Sequence, residues 1–144
     1  MHLLETRQTR GYDRVELHRG IEKRMKFLEP ADRKLLEITL RGKLSRREAG
    51  MIMGLDAGTV TRRIHTLMRR LNSRVVAALV EDGELLPELH REVGLAFFLH
   101  RRSIRRIARN GGLSEYAVRG MITYVRAWHE RRGNKGPRKE LKKS

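Results

Sequence analysis

The stretch Leu44 to Leu71, LSRREAGMIMGLDAGTVTRRIHTLMRRL, decides the fold. Ser45 and Glu48 have the spacing of a capping box, which predicts the start of a short helix. Gly54 predicts the end of that helix, because glycine adopts the positive φ of a sharp turn without strain. Asp56 predicts the cap of a second helix. The stretch therefore predicts a helix-turn-helix motif.

The second helix of this motif is predicted to be amphipathic. Its apolar residues recur at spacings of four, three and four, which is typical of one buried stripe on a helix; they are Val60, Ile64, Leu67 and Leu71. Ala49 and Gly50 are small, as expected where two helices approach closely. The candidate DNA-binding residues on its other face are Gly58, Thr59, Thr61, Arg62, Arg63, His65, Thr66, Arg69 and Arg70.

The composition favours a polyanionic partner. The 144 residues carry 33 lysines and arginines against 17 acidic residues, a formal net charge of +16. Residues 101–144 hold 14 of those cations and only three glutamates, so the excess is concentrated near the C-terminus. A field of this strength attracts nucleic acid by counterion release. We expect double-stranded DNA as the partner and a membrane surface as the weaker alternative.

Several other classes of function are disfavoured. The chain has no cysteine, its apolar runs are too short to span a membrane, and its N-terminus lacks a signal-peptide core. The six histidines are not grouped at metal-ligand spacing, and no nucleophilic triad or phosphate-binding glycine loop is visible. We therefore expect a cytoplasmic, nucleoid-associated protein that is not an enzyme, with no metal site, no cofactor and no small-molecule ligand.

The remaining pattern predicts four parts. Residues 1–29 form an N-terminal arm and a helix, in which Val15, His18, Ile21, Met25 and Leu28 recur at helical spacing. Residues 30–83 form the first helix-turn-helix unit, and residues 84–130 form the second. Residues 131–144 form a basic disordered tail. The apolar side of the helix after Asp56 continues to Asp82, so we expect one long helix to join the two units.

The second unit repeats the first at an offset of 58 residues. Caps, turn residues and core residues all correspond: Ser45 to Ser103, Gly54 to Gly112, Leu55 to Leu113, Asp56 to Ser114, Val60 to Val118, Ile64 to Ile122 and Leu67 to Val125. The second unit has Gly120 where the first has Arg62, and its preceding helix is rich in arginine. Phosphate anchoring is therefore at least as well supported there as base readout. The candidate DNA-binding residues of this unit are Arg105, Arg106, Tyr116, Arg119, Thr123 and Tyr124.

The first unit resembles region 4 of bacterial sigma factors, most closely the extracytoplasmic-function type. The residues that carry the resemblance are Leu28, Pro30, Arg33, Leu44, Ser45, Glu48, Ala49, Gly50, Gly54, Leu55, the run from Gly58 to Ile64, Leu67, Arg70 and Leu71. The resemblance implies a helix-turn-helix that reads the −35 promoter element through its last helix and also contacts RNA polymerase. Only some 27 residues precede the matched stretch, so we expect sigma region 2 to be absent.

The sequence thus predicts an all-α protein of tandem helix-turn-helix units, without a wing, that regulates transcription by binding a specific DNA sequence. In this motif the second helix enters the major groove. We expect Arg62 and the threonines to contact base edges, and Arg63, Arg69 and Arg70 to hold phosphates. Three alternatives stay open: an RNA polymerase-binding adaptor, the DNA-targeting module of a mobile-element recombinase, and a basic RNA binder.

Overall fold

The structure, a computed structural model, describes residues 20–143, with side chains as far as Arg132. This part of the chain is all-α, as predicted, and contains eight α-helices and no strand. The helices are α1 (Glu22–Met25), α2 (Pro30–Leu36), α3 (Arg46–Met53), α4 (Ala57–Leu71), α5 (Arg74–Asp82), α6 (Glu88–Phe98), α7 (Ile104–Gly111) and α8 (Glu115–Lys143). A π-helical turn, Glu37–Arg41, follows α2, and a 3₁₀ turn, Gly83–Leu85, follows α5. No described helix is both long enough and apolar enough to cross a membrane.

The chain divides into two compact units between Asn72 and Ser73. The predicted boundary after residue 83 is therefore too late, and α5 belongs to the second unit. The predicted long connecting helix is also wrong, because α4 ends at Leu71. The Ser73 hydroxyl accepts a hydrogen bond from the N–H of Val76 at 3.4 Å and so caps a new helix. A serine hydroxyl that accepts a hydrogen bond from an N–H of the following turn stabilises the start of a new helix at that position.

The first unit includes α1, which the sequence analysis had grouped with a separate arm. The side chains that form its apolar interior, all less than 9% exposed, include Ile21, Met25, Leu28, Leu35, Leu36, Val60, Ile64, Leu67 and Leu71. The Arg24 guanidinium also donates to the carbonyl of Leu71 at 2.8 Å, which ties α1 to the last turn of α4. Residues 1–19 of the predicted arm and helix, including Val15 and His18, lie outside the described residues.

The second unit has its own apolar core. Its buried cluster consists of Val93, Ile107, Ala108, Val118 and Ile122. The Arg91 side chain donates to the carbonyls of Leu79 and Val80, both at 2.9 Å, and so satisfies the C-terminal end of α5. Gly94 of α6 is close to the Leu79 side chain, where an added Cβ would come within 3.1 Å of a methyl carbon.

The last helix, α8, does not end near residue 130 as predicted but continues to Lys143. Arg132 forms an ion pair with Asp82, and its guanidinium lies 5.2 Å from the centre of the Trp128 ring. These contacts hold the helix beyond the predicted end of the unit. Arginine, lysine, glutamate and leucine, which dominate the residues after 137, are also good helix formers. The backbone is thus helical up to Lys143, and the disorder of residues 131–144 in the absence of a polyanion stays a prediction.

The repeat predicted at an offset of 58 residues is present in the backbone. Gly54 and Gly112 both adopt the left-handed conformation, with φ of 75° and 67°. The N–H that follows each glycine bonds back to the preceding helix, at 2.7 Å for Leu55 and 2.9 Å for Leu113. Within the two helix-turn-helix motifs, the side chains that accept hydrogen bonds as helix caps are those predicted, Ser45, Asp56, Ser103 and Ser114. The capping box of Ser45 and Glu48 is confirmed, with both hydrogen bonds at 3.0 Å.

The repeat also extends one helix further towards the N-terminus than the sequence analysis recognised. α2 begins at Pro30 and α6 at Glu88, 58 residues apart. Lys43 and Arg101, again 58 residues apart, are the two non-glycine residues with positive φ in the described chain, at 60° and 58°. The backbone N–H groups of the next residues close the same turn in both repeats. Leu44 donates to the carbonyl of Ile38 at 3.2 Å, and Arg102 donates to the carbonyl of Ala96 at 3.0 Å. We refer to residues 30–71 as the first repeat and residues 88–129 as the second repeat.

Candidate nucleic-acid interface

The tight connection between α3 and α4 fixes where the polar face of α4 points. Gly50 lies against this turn: a Cβ on Gly50 would come within 2.3 Å of the Leu55 carbonyl oxygen. The predicted close approach at Gly50 is therefore confirmed, and a side chain there would push α3 and the turn apart. Ala49 beside it is fully buried.

Asp56 caps the N-terminus of α4. Its carboxylate accepts a hydrogen bond from the Thr59 N–H at 2.7 Å. That bond lowers the pKa of the Asp56 carboxyl, with smaller contributions from the Thr59 hydroxyl and the Arg62 charge. A negative charge at this end also interacts favourably with the helix dipole. Asp56 thus fixes the first turn of α4, from which the candidate side chains project.

The two faces of α4 separate as the apolar stripe predicts. The buried residues are Val60, Ile64, Leu67, Met68 and Leu71. The candidate residues Gly58, Arg62, Arg63, His65 and Arg69 are exposed, and Thr59, Thr61, Thr66 and Arg70 are partly exposed. The structure therefore places all nine predicted residues on the accessible side of one helix.

An open cleft of about 400 Å³ lies along this face. Its lining residues are Asp32, Thr59, Arg62, Arg63, Thr66, Leu67 and Arg70. Five of the nine candidates on α4 meet there. The other four, Gly58, Thr61, His65 and Arg69, do not line the cleft. The Thr61 hydroxyl instead accepts a hydrogen bond from the Arg46 guanidinium at 3.3 Å, which links α3 to α4.

Two contacts set the directions of the arginines in the cleft. The Arg62 guanidinium donates to the Thr59 hydroxyl one turn earlier, at 3.1 Å. Arg63 forms an ion pair with Asp32 of α2, with 3.5 Å between Nη1 and Oδ1. Neighbouring side chains therefore partly fix the positions of Arg62 and Arg63.

Asp32 is the residue of this site that the sequence analysis missed. Its side chain is 22% exposed, and among the residues that the structure describes it brings the one carboxylate that lines the cleft. Asp32 is about 30 residues from Arg63 in the sequence, and nothing in the spacing of the chain indicates that the two meet.

The corresponding face of the second repeat has a different chemistry. The residues that replace Asp32, Thr59, Arg62, Arg63, Thr66 and Arg70 are His90, Ala117, Gly120, Met121, Tyr124 and Trp128. The rings of His90 and Tyr124 pack edge to face, with 4.8 Å between their centres. The cationic cleft of the first repeat is therefore absent from the same position in the second repeat.

The candidate residues of the second repeat are accessible but do not form one group. Tyr116 and Tyr124 are exposed, at 87% and 47%. Arg105 and Arg119 both pair with Glu115, at 3.7 Å and 3.6 Å, so part of their charge is offset. The remaining candidates, Arg106 and Thr123, are exposed as well.

Within residues 20–132, no three histidine or acidic side chains are grouped as a metal site would require. Comparisons with known protein families, with curated proteins and with solved structures find no match to this chain. A functional assignment therefore depends on the geometry and charge of the site itself.

Proposed function

We propose that the protein is a transcription regulator that binds a specific sequence of double-stranded DNA through a helix-turn-helix motif formed by α3 and α4. The observation that carries the proposal is the polar face of α4. It combines hydroxyl and guanidinium groups along one accessible side of a helix that is capped at its start and buried along its other side.

The dimensions of α4 suit the major groove. Its 15 residues correspond to a length of about 22 Å at 1.5 Å per residue. The major groove of B-DNA is about 12 Å wide and admits one α-helix. Arg62 lies in the N-terminal half of α4, the part that contacts base edges in this motif. We infer that Arg62 reads a guanine and that Thr59 and Thr66 contact neighbouring bases.

The other arginines of α4 are suited to phosphates. Arg69 is exposed and lies near the C-terminal end of the helix, about ten Å along the axis from Arg62 by the helical rise. The net charge of +16 supplies the sequence-independent part of the affinity. The resemblance of the first repeat to sigma region 4 supports the same assignment.

The proposal is tested by selecting bound sequences from a random pool of duplex DNA with the full chain, at about 150 mM salt where nonspecific contacts are weakened. We expect one enriched motif, and its enrichment should disappear when Arg62 is replaced by alanine. Binding without any enriched motif would contradict sequence-specific regulation.

An exposed apolar pair on α3 favours one second candidate, an adaptor that docks on RNA polymerase. Met51 and Ile52 are 77% and 55% exposed, although both are large apolar side chains on the helix that precedes α4. Such side chains are enriched at protein interfaces when they form a patch. Capture of polymerase subunits in the absence of DNA, abolished by Ile52→Lys but not by Arg62→Ala, would favour the adaptor.

A further inference from the structure

A second cleft, of about 280 Å³, lies within the second repeat. It is lined by Phe97, Phe98, Arg101, Arg102 and Arg126. These residues come from the end of α6, the turn that follows it and the middle of α8. None of them belongs to the candidate interface described above.

The aromatic wall of this cleft carries a guanidinium. The rings of Phe97 and Phe98 are perpendicular, with 5.0 Å between their centres. The Arg126 guanidinium lies over both rings, 5.7 Å from the centre of Phe97 and 5.4 Å from that of Phe98. A guanidinium that stacks on an aromatic ring keeps its N–H edge for an oxyanion and its second face for another planar group.

The cleft is strongly cationic. Three guanidinium groups line it, and none of the side chains described between residues 20 and 132 adds a carboxylate to the lining. Among the described residues, neither Arg101 nor Arg126 has an acidic partner, in contrast to Arg105 and Arg119, which share Glu115. Cations that line one cleft repel one another, and an anionic ligand bound there would relieve the repulsion.

The first repeat shows that the fold does not require these side chains. At the equivalent positions it carries Thr39, Leu40, Lys43, Leu44 and Met68. The backbone is nevertheless the same, since Lys43 has the left-handed φ of Arg101 and the following amide closes the same turn. Met68 is only 8% exposed, whereas its counterpart Arg126 faces solvent. The two phenyl rings and two additional cations are thus specific to the second repeat.

We propose that this cleft is a binding site for a nucleoside phosphate. The planar base stacks on the wall formed by Arg126 and the two phenylalanines, and Arg101 and Arg102 hold the phosphate. The volume of about 280 Å³ lies just below the usual range of ligand sites, about 300–1,000 Å³, and therefore favours an occupant of about one nucleotide. That nucleotide is either free in solution or part of a single strand, since both present the same base and phosphate. The site does not depend on the proposed reading of duplex DNA by α4.

The test is calorimetric titration of the full chain with four probes: ATP, adenosine, inorganic pyrophosphate and a five-nucleotide single strand. We expect ATP to bind more tightly than pyrophosphate or adenosine, because only ATP presents both a base and phosphates. Binding of the single strand about tenfold more tightly than ATP supports a strand as the occupant, and the reverse order supports a free nucleotide.

Two variants restore the residues of the first repeat, Arg126→Met and Phe98→Leu. We expect each to weaken ATP binding by about tenfold, with a circular dichroism spectrum like that of the wild type. Arg109→Ala removes one exposed cation of α7 that does not line the cleft, and it is the matched control. Equal losses for Arg126→Met and Arg109→Ala would reduce the effect to net charge and overturn the proposal. Pyrophosphate binding as tight as that of ATP would overturn it as well. If either Arg126→Met or Phe98→Leu fails to fold, the ATP affinity of the other variant tests the proposal.

Discussion

The carboxylate of Asp32 on α2 lies 3.5 Å from the guanidinium of Arg63 on α4, inside the cleft that the proposed recognition face forms. A carboxylate beside a DNA-facing arginine has two opposite effects: it orients the arginine, and it repels phosphates. Asp32 is therefore a candidate for setting the balance between specific and nonspecific binding.

Asp32→Asn should strengthen nonspecific DNA binding. Released from its ion pair, Arg63 becomes available to one more phosphate, so the slope of log K against log salt should become steeper by about 0.9. The ratio of specific to nonspecific affinity should fall. Fluorescence anisotropy over a salt series with specific and random duplexes measures both quantities.

Glu22→Gln is the matched control for that experiment. It removes one negative charge from the same unit by breaking the exposed ion pair with Arg41, away from the cleft. The same change of slope for both variants would show that only net charge matters and that Asp32 has no special role.

Arg62→Ala should remove sequence preference selectively. We expect a loss of about 1–3 kcal/mol on the selected duplex and little change on random DNA, because a guanine contact is lost. Arg69→Ala, which removes a cation from the same helix, should weaken both duplexes alike. Competition binding at fixed salt measures the two affinities, and an equal loss on both duplexes for Arg62→Ala would contradict base readout.

Gly120→Arg should place a new cation on the second repeat at the position of Arg62 without damaging the fold. No atom lies within 4 Å of the Cβ that a side chain would add there, and arginine stabilises a helix interior by up to about 0.8 kcal/mol relative to glycine. We expect the melting temperature to be equal or higher and nonspecific DNA affinity to rise. Thermal unfolding and anisotropy on random duplexes measure the two effects.

The contrasting substitution is Gly50→Ala. Its Cβ would come within 2.3 Å of the Leu55 carbonyl, so the helix pair must shift, at a cost of about 1–3 kcal/mol. A melting temperature equal to that of the wild type would show that the approach of α3 to the turn is not close in solution.

Asp56→Asn should remove a pH-dependent contribution to stability. Because the pKa of Asp56 is lower in the folded protein than its ordinary value of 3.8, the charged form favours folding. That contribution is fully present well above pH 3.8 and is lost as the pH falls through the folded-state pKa. Denaturant unfolding of both proteins from pH 7 to pH 2.5 should show a difference at neutral pH that diminishes below about pH 4. A difference that is constant across this range would contradict a charge effect.

The local features of the fold could be predicted because neighbouring residues determine them. The Ser45 and Glu48 capping box, the left-handed Gly54 and the buried side of α4 all follow from spacings of three or four residues. The end of α4 could not be predicted from periodicity, because the apolar stripe continues past Leu71 and the break depends on the cap that Ser73 provides for α5.

The site could be predicted only in part, for a related reason. The outward face of α4 follows from helical periodicity, whereas the partnership of Asp32 and Arg63 depends on how α2 packs against α4. The arginine and phenylalanine cleft could not be predicted for the same reason. Phe97 and Phe98 pack partly against the core of the second unit, and Arg126 becomes their neighbour only when α6 and α8 pack together.

The shared backbone of the two repeats has a consequence for how such a chain can change. Because turns and caps coincide at a constant offset, a chain that passes from Leu55 directly to Ser114 would keep the left-handed turn, the cap and an apolar stripe, and would contain one hybrid repeat. Unequal crossing over between the two halves of the coding sequence could therefore shorten or lengthen the protein by whole repeats. The hybrid repeat in each product would take the residues before the turn from one repeat and the helix after the turn from the other, with the same backbone.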